Sequence, residues 1–409
     1  MARPLEDVLI LDLTWVLSGP YAAMILCDLG ANVIKIERPP YGDVARTTGP
    51  YKNGWSGYFF SINRGKRSVA IDLQKDEGRG LFLQMADKAD VVMENFTPGT
   101  LERLGLGFDV LSSRNSGLVL ARTSGFGQTG PYRDRPALDI IVQAMGGVMS
   151  ITGEVGGGPV RPGVSYGDIT AGLYTTIGIL SALHERERTG RGQVVDISML
   201  DCQVSVLENA IVRLAITGSA PGPLGTRHPS ATPFQAFPTA DGHIVVALAF
   251  GDVDQWSLLL GLLGLTELVG DERFNTGPKR TARHSELEAL LLPAFRKKTT
   301  GEWLQELLEL GIPCGPLNTV DDVVSDPQVR ARGMIQEVTQ RTAGALPIAN
   351  TPLQFSESEA GIAGAPPEMG EHTREVLREL LQLSDTEIDS LEASGAVASS
   401  GGPDVSKLL

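Results

Sequence analysis

Asp168 is the acidic residue best placed for covalent chemistry. It follows a glycine-rich stretch at 152–167 and precedes a long apolar segment, Ile169 to Leu183, that predicts a buried helix. Backbone N–H groups at a helix N-terminus stabilise an ionised carboxylate, so Asp168 is a candidate aspartyl nucleophile for acyl transfer. The position alone fits an ordinary helix N-cap equally well.

Acyl transfer also requires N–H donors for a developing oxyanion. Backbone N–H groups of Gly156 to Gly158, or of the loop at 225–226, are the candidates. The segment Gly163-Val-Ser165-Tyr-Gly167 offers an alternative nucleophile, because it matches the G-x-S-x-G pattern of serine hydrolases and precedes a helix. That pattern needs a buried strand before its first glycine, and the Gly- and Pro-rich residues here are poor strand formers.

The composition limits the classes of function. With 409 residues, the chain is long enough for two domains. Its net charge of -14 argues against nucleic-acid or anionic-membrane partners, and no apolar run reaches the ~20 residues of a membrane span. Three scattered cysteines and no paired histidine spacing predict a cytoplasmic protein without a disulfide framework or metal site.

Short apolar runs alternate with helical patterns in the first half of the chain. This alternation predicts a parallel sheet, with strands at 8–13, 32–37, 68–73, 90–94, 118–124 and 194–198. The first strand–helix turn, Ser18-Gly-Pro20, lacks the G-x-G-x-x-G pattern of dinucleotide-binding folds, which argues against a nicotinamide enzyme. Loops at the carboxyl ends of parallel strands form the ligand crevice, and several carry arginine or lysine. These basic residues are candidate phosphate ligands or else solvated loop charges: Arg38, Lys66, Arg67, Arg103, Arg133 and Arg135.

The predicted fold class is α/β, with a large Rossmann-like domain built on a parallel sheet and a smaller α+β domain. A Gly-, Pro- and Ser-rich segment marks the boundary between them. The predicted division is a first part of the large domain at 1–217, a linker at 218–228, a small domain at 229–325, a return to the large domain at 326–395 with a helix at 373–381, and a flexible tail at 396–409.

Ordered segments along nearly the whole chain resemble the class III coenzyme A transferases, also called the CaiB/BaiF family. The matching segments are LDLTWVLSGP at 11–20, GANVIKIERP at 30–39, NRGKRS at 63–68, ENFTPG at 94–99, GFGQTGP at 125–131, PVRPG at 159–163 with Asp168, RTGRGQ at 188–193, GIPCGP at 311–316 and GEHT at 370–373.

This resemblance implies exchange of coenzyme A between an acyl-CoA and a carboxylic acid through mixed anhydrides and an aspartyl-CoA thioester on Asp168. It implies an interlocked homodimer, with no cofactor beyond coenzyme A as substrate, and leaves Ser165 as a loop residue. The positions that correspond to coenzyme A contacts are Val16, Leu17, Arg38, Ile71, Asp72, Leu73, Gln74, Asn95, Phe96, Thr97, Arg103, Arg135, Pro136 and Asp139.

Two departures from the family's pattern bear on the substrate. Leu17 stands where formyl-CoA transferase has glutamine, and that enzyme's tetraglycine loop has no match at 222–228, which disfavours formate or oxalate. Leu138 stands where related acyl-CoA racemases have histidine, which disfavours the racemase alternative. The pattern is most similar to the succinyl-CoA:glutarate transferase branch, so we expect a dicarboxylate acceptor, steered by an arginine such as Arg46. A catalytically silent coenzyme A-binding protein is the remaining alternative.

Overall fold

The computed structural model describes residues 1–248 and 254–399. In this part of the chain the strands are β1 (Leu9–Asp12), β2 (Asn32–Glu37), β3 (Tyr51–Lys52), β4 (Trp55–Ser56), β5 (Arg67–Ile71), β6 (Val91–Glu94), β7 (Val119–Ser124), β8 (Val194–Ser198), β9 (Phe234–Pro238), β10 (His243–Ala247), β11 (Cys314–Pro316), β12 (Ile335–Gln340), β13 (Gly344–Ala349) and β14 (Val397–Ala398). The six strands predicted in the first half of the chain are therefore confirmed to within two residues at each end.

The helices connect these strands. They are α1 (Ser18–Asp28), α2 (Gly57–Ile62), α3 (Asp76–Ala86), α4 (Thr100–Arg103), α5 (Phe108–Arg114), α6 (Asp139–Met145), α7 (Val148–Ile151), α8 (Tyr166–Thr189), α9 (Met199–Ser205), α10 (Ala210–Thr217), α11 (Gln255–Leu263), α12 (Gly277–Ala282), α13 (His284–Phe295), α14 (Thr300–Glu309), α15 (Val320–Ser325), α16 (Pro327–Ala331), α17 (Thr373–Leu381) and α18 (Asp385–Ala393). Short 3₁₀ helices lie at Val44–Thr47 and Thr266–Leu268. No helix of the described residues has both the length and the apolar character needed to cross a bilayer.

The largest sheet has seven strands in the order β14-β5-β2-β1-β6-β7-β8. All of its pairs are parallel except the one between β14 and β5, so the α/β class with a largely parallel sheet is confirmed. Among the parallel strands the chain starts in the middle, at β1, runs outward through β2 to β5, and then returns to β6 on the other side of β1. This order is that of a Rossmann-like fold, and its switch point lies between β1 and β6.

Both faces of the central strands are buried, since successive residues of a strand point to opposite sides and nearly every residue of β2, β6 and β7 is buried. Ile10, Val33 and Val91 pack on one side with residues of α1 and α8. Their chain neighbours, such as Leu11 and Ile34, pack on the other side with residues of α3, α5 and α17. The apolar runs that predict the strands are therefore continuous rather than alternating.

Close packing divides the described chain into two units. The first contains 1–148, 161–211 and 328–399 and holds the seven-stranded sheet; the second contains 149–160 and 212–327. The second unit has the antiparallel sheet β9-β10-β11 and a core in which the rings of Phe237 and Phe295 stack at 4.3 Å. The segment predicted as a linker, 218–228, falls inside the second unit.

The predicted flexible tail is wrong over residues 396–399. Val397 and Ala398 form β14, which pairs with Ile71 and Ala70 of β5 and closes the edge of the sheet. Ala396 and Val397 are buried, so the chain end that looks polar by composition contributes apolar side chains to the core. Residues 400–409 lie outside the described part of the chain.

Candidate active site

The loops that follow β1 and β6 meet at the switch point of the large sheet. The side chain of Asn95, just after β6, bridges to the loop after β1: its Oδ1 accepts from the N–H of Trp15 at 3.0 Å, and its Nδ2 donates to the Trp15 carbonyl at 2.8 Å. A crevice between two such loops is where open parallel sheets bind ligands. The fold therefore directs attention to these two loops.

Buried charges hold the loop after β1 in an unusual conformation. Val16 has a φ of 65°, which a β-branched residue rarely adopts, and its N–H donates to Asp43 Oδ1 at 3.0 Å. Lys35, fully buried, pairs with Asp43 at 2.9 Å and donates to the Thr14 carbonyl at 2.7 Å. The ion pair thus fixes the main chain on both sides of Trp15, and Val16 is kept in place despite its strained backbone.

Two adjoining cavities open at these loops, and both are lined by Trp15 and Phe96, whose rings lie 6.4 Å apart edge to face. The first, of about 370 Å³, is lined by these candidate residues: Arg38, Ile71, Asp72, Leu73, Gln74 and Phe96. The second, of about 260 Å³, is lined by Val16, Leu17, Asn95, Phe96, Thr97, Arg135, Pro136, Asp139 and Asp168. The tertiary structure therefore brings the candidate residues into one continuous region.

Arg103 lines neither cavity. Its Nη2 donates at 2.7 Å to Thr100 Oγ1, and Thr100 lines the first cavity, so the exposed guanidinium lies just outside that cavity. This places Arg103 where it could contact a ligand that extends from the cavity.

Asp168 is the third residue of α8, which begins three residues earlier than the apolar pattern predicts. The N-cap of this helix is Ser165, whose side chain makes no capping hydrogen bond, so the N-cap interpretation of Asp168 is wrong. Gly172, one turn further on, lies against the start of α1, because a Cβ atom there would be 2.9 Å from the Ser18 carbonyl oxygen. Because Gly172 has no side chain, the first turns of α8 and α1 approach closely. Asp168, in the first turn of α8, is half-buried and lines the second cavity.

Burial and a neighbouring carboxylate raise the pKa of Asp168 to about 7. Burial has the larger effect and Asp139 adds to it, while Arg161 and hydrogen bonds from Ser18 act in the opposite direction. The helix N-terminus would lower the pKa of an exposed carboxylate. Here the loss of hydrating water raises the pKa by more than the helix lowers it. A carboxyl group with such a pKa, facing a cavity, has the properties of a reacting group rather than of a structural acid.

Asp139, a predicted coenzyme A contact, joins three elements of the site. Its Oδ1 accepts from the Gly167 N–H at 2.8 Å; its Oδ2 accepts from Gln143 Nε2 at 2.7 Å and from Arg161 Nη2 at 2.8 Å. Asp139 therefore anchors the first turn of α8 just before Asp168. The sequence did not predict this anchoring role of Asp139. It also predicted no role for Arg161, although Arg161 lies within the PVRPG segment.

The serine-hydrolase alternative is not supported. No strand precedes α8 over residues 157–165, so the strand–turn–helix geometry of a nucleophilic serine is absent there. Ser165 Oγ accepts a hydrogen bond from Arg161 Nη2 at 3.0 Å, and no histidine is among its hydrogen-bond partners in the described chain. Ser165 therefore belongs to the loop that Arg161 orders.

Arg46 does not face a ligand, and the expectation that it steers an acceptor acid is wrong. Its guanidinium binds both oxygens of Glu37, at 2.7 and 2.8 Å, and lies 3.7 Å from the ring centre of Phe59. About nine-tenths of Arg46 is buried, so its charge is neutralised by Glu37 inside the fold.

The glycine loops proposed as oxyanion donors lie in the second unit. Gly225 N–H donates there to the Gly153 carbonyl at 2.8 Å, so this donor is already engaged. A part for Gly156 to Gly158 in an oxyanion site stays a prediction.

Comparison with known proteins adds independent findings. Residues 5–373 match the family described as CoA-transferase family III. The chain is 38% identical to succinyl-CoA:glutarate CoA-transferase of Mus musculus over 97% of this chain and 90% of that protein, and 42% identical to acetyl-CoA:oxalate CoA-transferase of Acetobacter aceti over 81% and 85%. It is similar to the crystal structure of a CAIB/BAIF family protein from Brucella suis, with a TM-score of 0.83, 39% identity, and coverage of 93% of this chain and 100% of that one.

The contacts of Asp139 generate a prediction. Replacement Asp139→Asn removes a negative charge that raises the pKa of Asp168 and releases Arg161 from its partner, so the pKa of Asp168 should fall below about 7. The measurement is an infrared pH titration of the carboxyl band, in which the spectrum of Asp168→Asn is subtracted. Asp109→Asn, on α5, serves as the control. An unchanged midpoint in Asp139→Asn would show that burial alone sets this pKa.

Proposed function

The chain belongs to CoA-transferase family III, and from that premise we propose that this CoA-transferase moves coenzyme A from an acyl-CoA to a dicarboxylic acid with Asp168 as the covalent nucleophile. The observation that carries the proposal is the half-buried carboxylate of Asp168 in the second cavity, beside the loops after β1 and β6. Burial removes water that would otherwise solvate the carboxylate or hydrolyse an activated intermediate.

The proposed reaction needs no net proton transfer. An oxygen of the Asp168 carboxylate attacks the thioester carbon of the donor, the C–S bond breaks, and coenzyme A leaves as a thiolate, with a mixed anhydride on Asp168. The thiolate then attacks the Asp168 carbonyl carbon and expels the donor's acid, which forms an aspartyl-CoA thioester. The acceptor carboxylate repeats these two steps in reverse order, so that the acceptor leaves as its CoA ester and Asp168 is again a carboxylate.

A dicarboxylate acceptor is supported by the named activities of similar proteins, among them the succinyl-CoA:glutarate transferase of Mus musculus. Within the chain, Leu17 and Leu138 both line the second cavity with Asp168. Leu138 cannot donate or accept a proton, so the second acid/base group of a racemase is missing from that position. These residues favour transfer over epimerisation.

The two cavities support a division of the coenzyme A site. We propose that the nucleotide end lies in the first cavity and the thioester end in the second, with Trp15 and Phe96 between them. Arg38 forms an ion pair with Asp72 at 3.7 Å through Nε, and its guanidinium lies 5.8 Å from the Tyr41 ring centre. Because the side chain is half-exposed, it is also accessible to a phosphate. Arg103 lies outside the first cavity as a second cation.

We further propose that the active form is a homodimer, interlocked as the family resemblance implies. Helices α6 and α8 expose large apolar side chains, including Ile140, Ile141, Met145, Leu173 and Ile177, the last with 56% of its surface accessible. Leu173 and Ile177 lie one turn apart, so they form one strip on α8. Exposed apolar surface of this kind is typical of subunit interfaces.

We also infer a cytoplasmic location. Cys27, Cys202 and Cys314 are all free thiols, and burial raises the pKa of Cys27 and of Cys202 to about 12. Unpaired cysteines that stay protonated suit a reducing compartment.

Replacement Asp168→Asn should abolish CoA exchange while the affinity for acyl-CoA, measured by calorimetry, stays close to that of the wild type. Wild-type protein incubated with succinyl-CoA and hydroxylamine should carry a hydroxamate on Asp168, detected by mass spectrometry of its peptide. Since only the ionised carboxylate attacks, wild-type kcat/KM should fall about tenfold per pH unit below about pH 7. Turnover by Asp168→Asn, or an unmodified Asp168 peptide, would rule out this nucleophile.

Replacement Arg38→Ala should raise KM for the acyl-CoA about tenfold with kcat nearly unchanged, because a phosphate contact far from the reacting atoms contributes to ground-state and transition-state binding alike. Steady-state kinetics with succinyl-CoA provide the measurement. The control is Arg341→Ala, an arginine that is 79% exposed and pairs with Glu368. Equal KM values for the two variants would remove Arg38 from the coenzyme A site.

The double replacement Leu173→Glu and Ile177→Glu should convert the protein from a dimer to a monomer in size-exclusion chromatography with light scattering, because four carboxylates would face one another across a symmetric interface. Val110→Glu, an equally apolar residue with 39% exposure on α5, is the control and should remain dimeric. A wild-type monomer, or a dimer in the double variant, would refute this interface.

A further inference from the structure

The segment GEHT at 370–373 belongs to the described lining of neither cavity, and the chemistry of CoA transfer uses none of its residues. It contacts the outer edge of β5, the strand that runs directly into the first cavity. The His372 N–H donates to the Ser68 carbonyl at 2.9 Å, and the Ser68 N–H donates to His372 Nδ1 at 3.2 Å. The residues at the carboxyl end of β5 line the first cavity: Ile71, Asp72, Leu73 and Gln74.

The hydroxyl of Thr373 joins this segment to both β5 and β14. Thr373 is fully buried; its Oγ1 accepts from the Ala70 N–H at 3.0 Å and donates to the Ala398 carbonyl at 2.7 Å. Ala70 and Ala398 lie directly opposite each other in the antiparallel pair of the two strands. Because a hydroxyl both donates and accepts, it serves both main-chain groups, and an apolar side chain at this position would remove a hydrogen bond from each.

β14 in turn holds the wall of the first cavity. The Asp72 N–H donates to the Ala396 carbonyl at 2.9 Å, and Ala396 and Val397 are buried. The Asp72 side chain orders the rest of this wall, because its Oδ1 accepts from the Gln74 N–H at 3.0 Å and lies 3.7 Å from Arg38 Nε. The described residues that line this cavity do not include β14, so β14 acts on the cavity through Asp72.

Gly370 allows these elements to approach closely. A Cβ atom there would lie 2.7 Å from the Ala398 carbonyl oxygen and 3.2 Å from Ala70 Cβ, and its φ of 70° lies in the left-handed region that favours glycine. The Gly370 N–H donates to Ser68 Oγ at 2.9 Å, and Ser68 Oγ donates to Glu37 Oε1 at 2.6 Å. Glu37 lines the first cavity, so the segment reaches that cavity by a second route.

We propose that residues 370–373 and β14 together form an edge cap that positions residues 71–74 for the nucleotide end of coenzyme A, with Thr373 as the positioning residue. The inference rests on the proposed assignment of the first cavity to that end of coenzyme A. Acyl-CoA binds only when the edge cap is in place, because without the Ala396 carbonyl the Asp72 N–H and the loop that follows it lose their anchor. Thr373 lies 303 residues after Ala70, so the end of the chain contributes to substrate affinity.

Thr373→Val tests the hydroxyl, because valine has nearly the same shape and cannot form either hydrogen bond. We expect Kd for coenzyme A, measured by calorimetry, and KM for the acyl-CoA to rise about tenfold, since fewer molecules have the edge cap in place. The value of kcat should stay near that of the wild type, because contacts to the nucleotide end contribute equally to ground-state and transition-state binding. Thr373→Ser, which keeps the hydroxyl, should restore the wild-type Kd.

The matched control is Thr239→Val in the second unit. Thr239 is also buried, and its Oγ1 likewise accepts from a backbone N–H, that of Gly242, at 3.0 Å. This replacement should lower the melting temperature and leave Kd for coenzyme A unchanged. It therefore separates a loss of stability from a loss of positioning.

Hydrogen–deuterium exchange of the wild-type protein tests the same coupling without any replacement. Because β14 is outside the described wall of the cavity, slower exchange at 396–398 on addition of coenzyme A reports the edge cap rather than direct contact. If opening of the edge cap and binding exclude each other, coenzyme A at about ten times its Kd should slow this exchange about tenfold.

The outcomes separate this inference from the proposed function. A wild-type Kd in Thr373→Val, or exchange at 396–398 that coenzyme A does not slow, refutes the edge cap, and the assignment of the first cavity stands as long as Arg38→Ala weakens binding. Failure of Thr373→Ser to restore Kd refutes the role of the hydroxyl, and so does a fall in kcat with Kd unchanged. If Arg38→Ala and Thr373→Val both bind coenzyme A as the wild type does, the assignment of the first cavity itself fails.

Discussion

The site depends on charge that is buried beneath the loop after β1. Lys35 and Lys66 are both almost fully inaccessible to water, and an isolated ammonium group in such a place would be very unfavourable. Asp43 neutralises Lys35 at 2.9 Å, and Asp12 neutralises Lys66 at 2.9 Å. Although burial alone would raise the pKa of Asp12, the two lysines and the Thr14 hydrogen bond hold it below its usual value. Each lysine–aspartate pair is thus neutral, and removal of either partner leaves a buried charge.

That network explains how a strained loop can be held in place at the candidate active site. Lys35 and Asp43 bind main-chain groups of Thr14 and Val16, and Lys66 donates to the Pro20 carbonyl at 3.2 Å. The chain from β1 into α1 is therefore held at several points by side chains that cannot move without exposing charge to an apolar core. The first turn of α1, which packs against Gly172 of α8 one turn after Asp168, is therefore held in place beside the second cavity.

Two opposing effects set the chemistry of Asp168. Burial between α1 and α8 and the charge of Asp139 raise its pKa, whereas Arg161 and Ser18 lower it. The balance, at about 7, leaves a carboxylate that is weakly solvated and still substantially ionised at neutral pH. A more exposed aspartate would be ionised but better hydrated and so less nucleophilic, and a fully buried one would be protonated. Asp139 and Arg161 act on this pKa in opposite directions, and they also pair with each other at 2.8 Å.

The sequence by itself determined the strands of the large sheet and the α/β class, and it singled out Asp168 as a candidate nucleophile, because apolar runs and a glycine-rich turn before a helix are local signals. Segments that match in the same order along the chain also indicated the protein family. Only the tertiary structure showed that Asp139, Arg161 and Ser18 surround Asp168, that Arg46 is committed to Glu37, and that 397–398 completes the sheet beside β5. Each of these depends on contacts between residues distant along the chain. Whether an arginine faces a ligand or a buried glutamate is decided by packing, which no local pattern records.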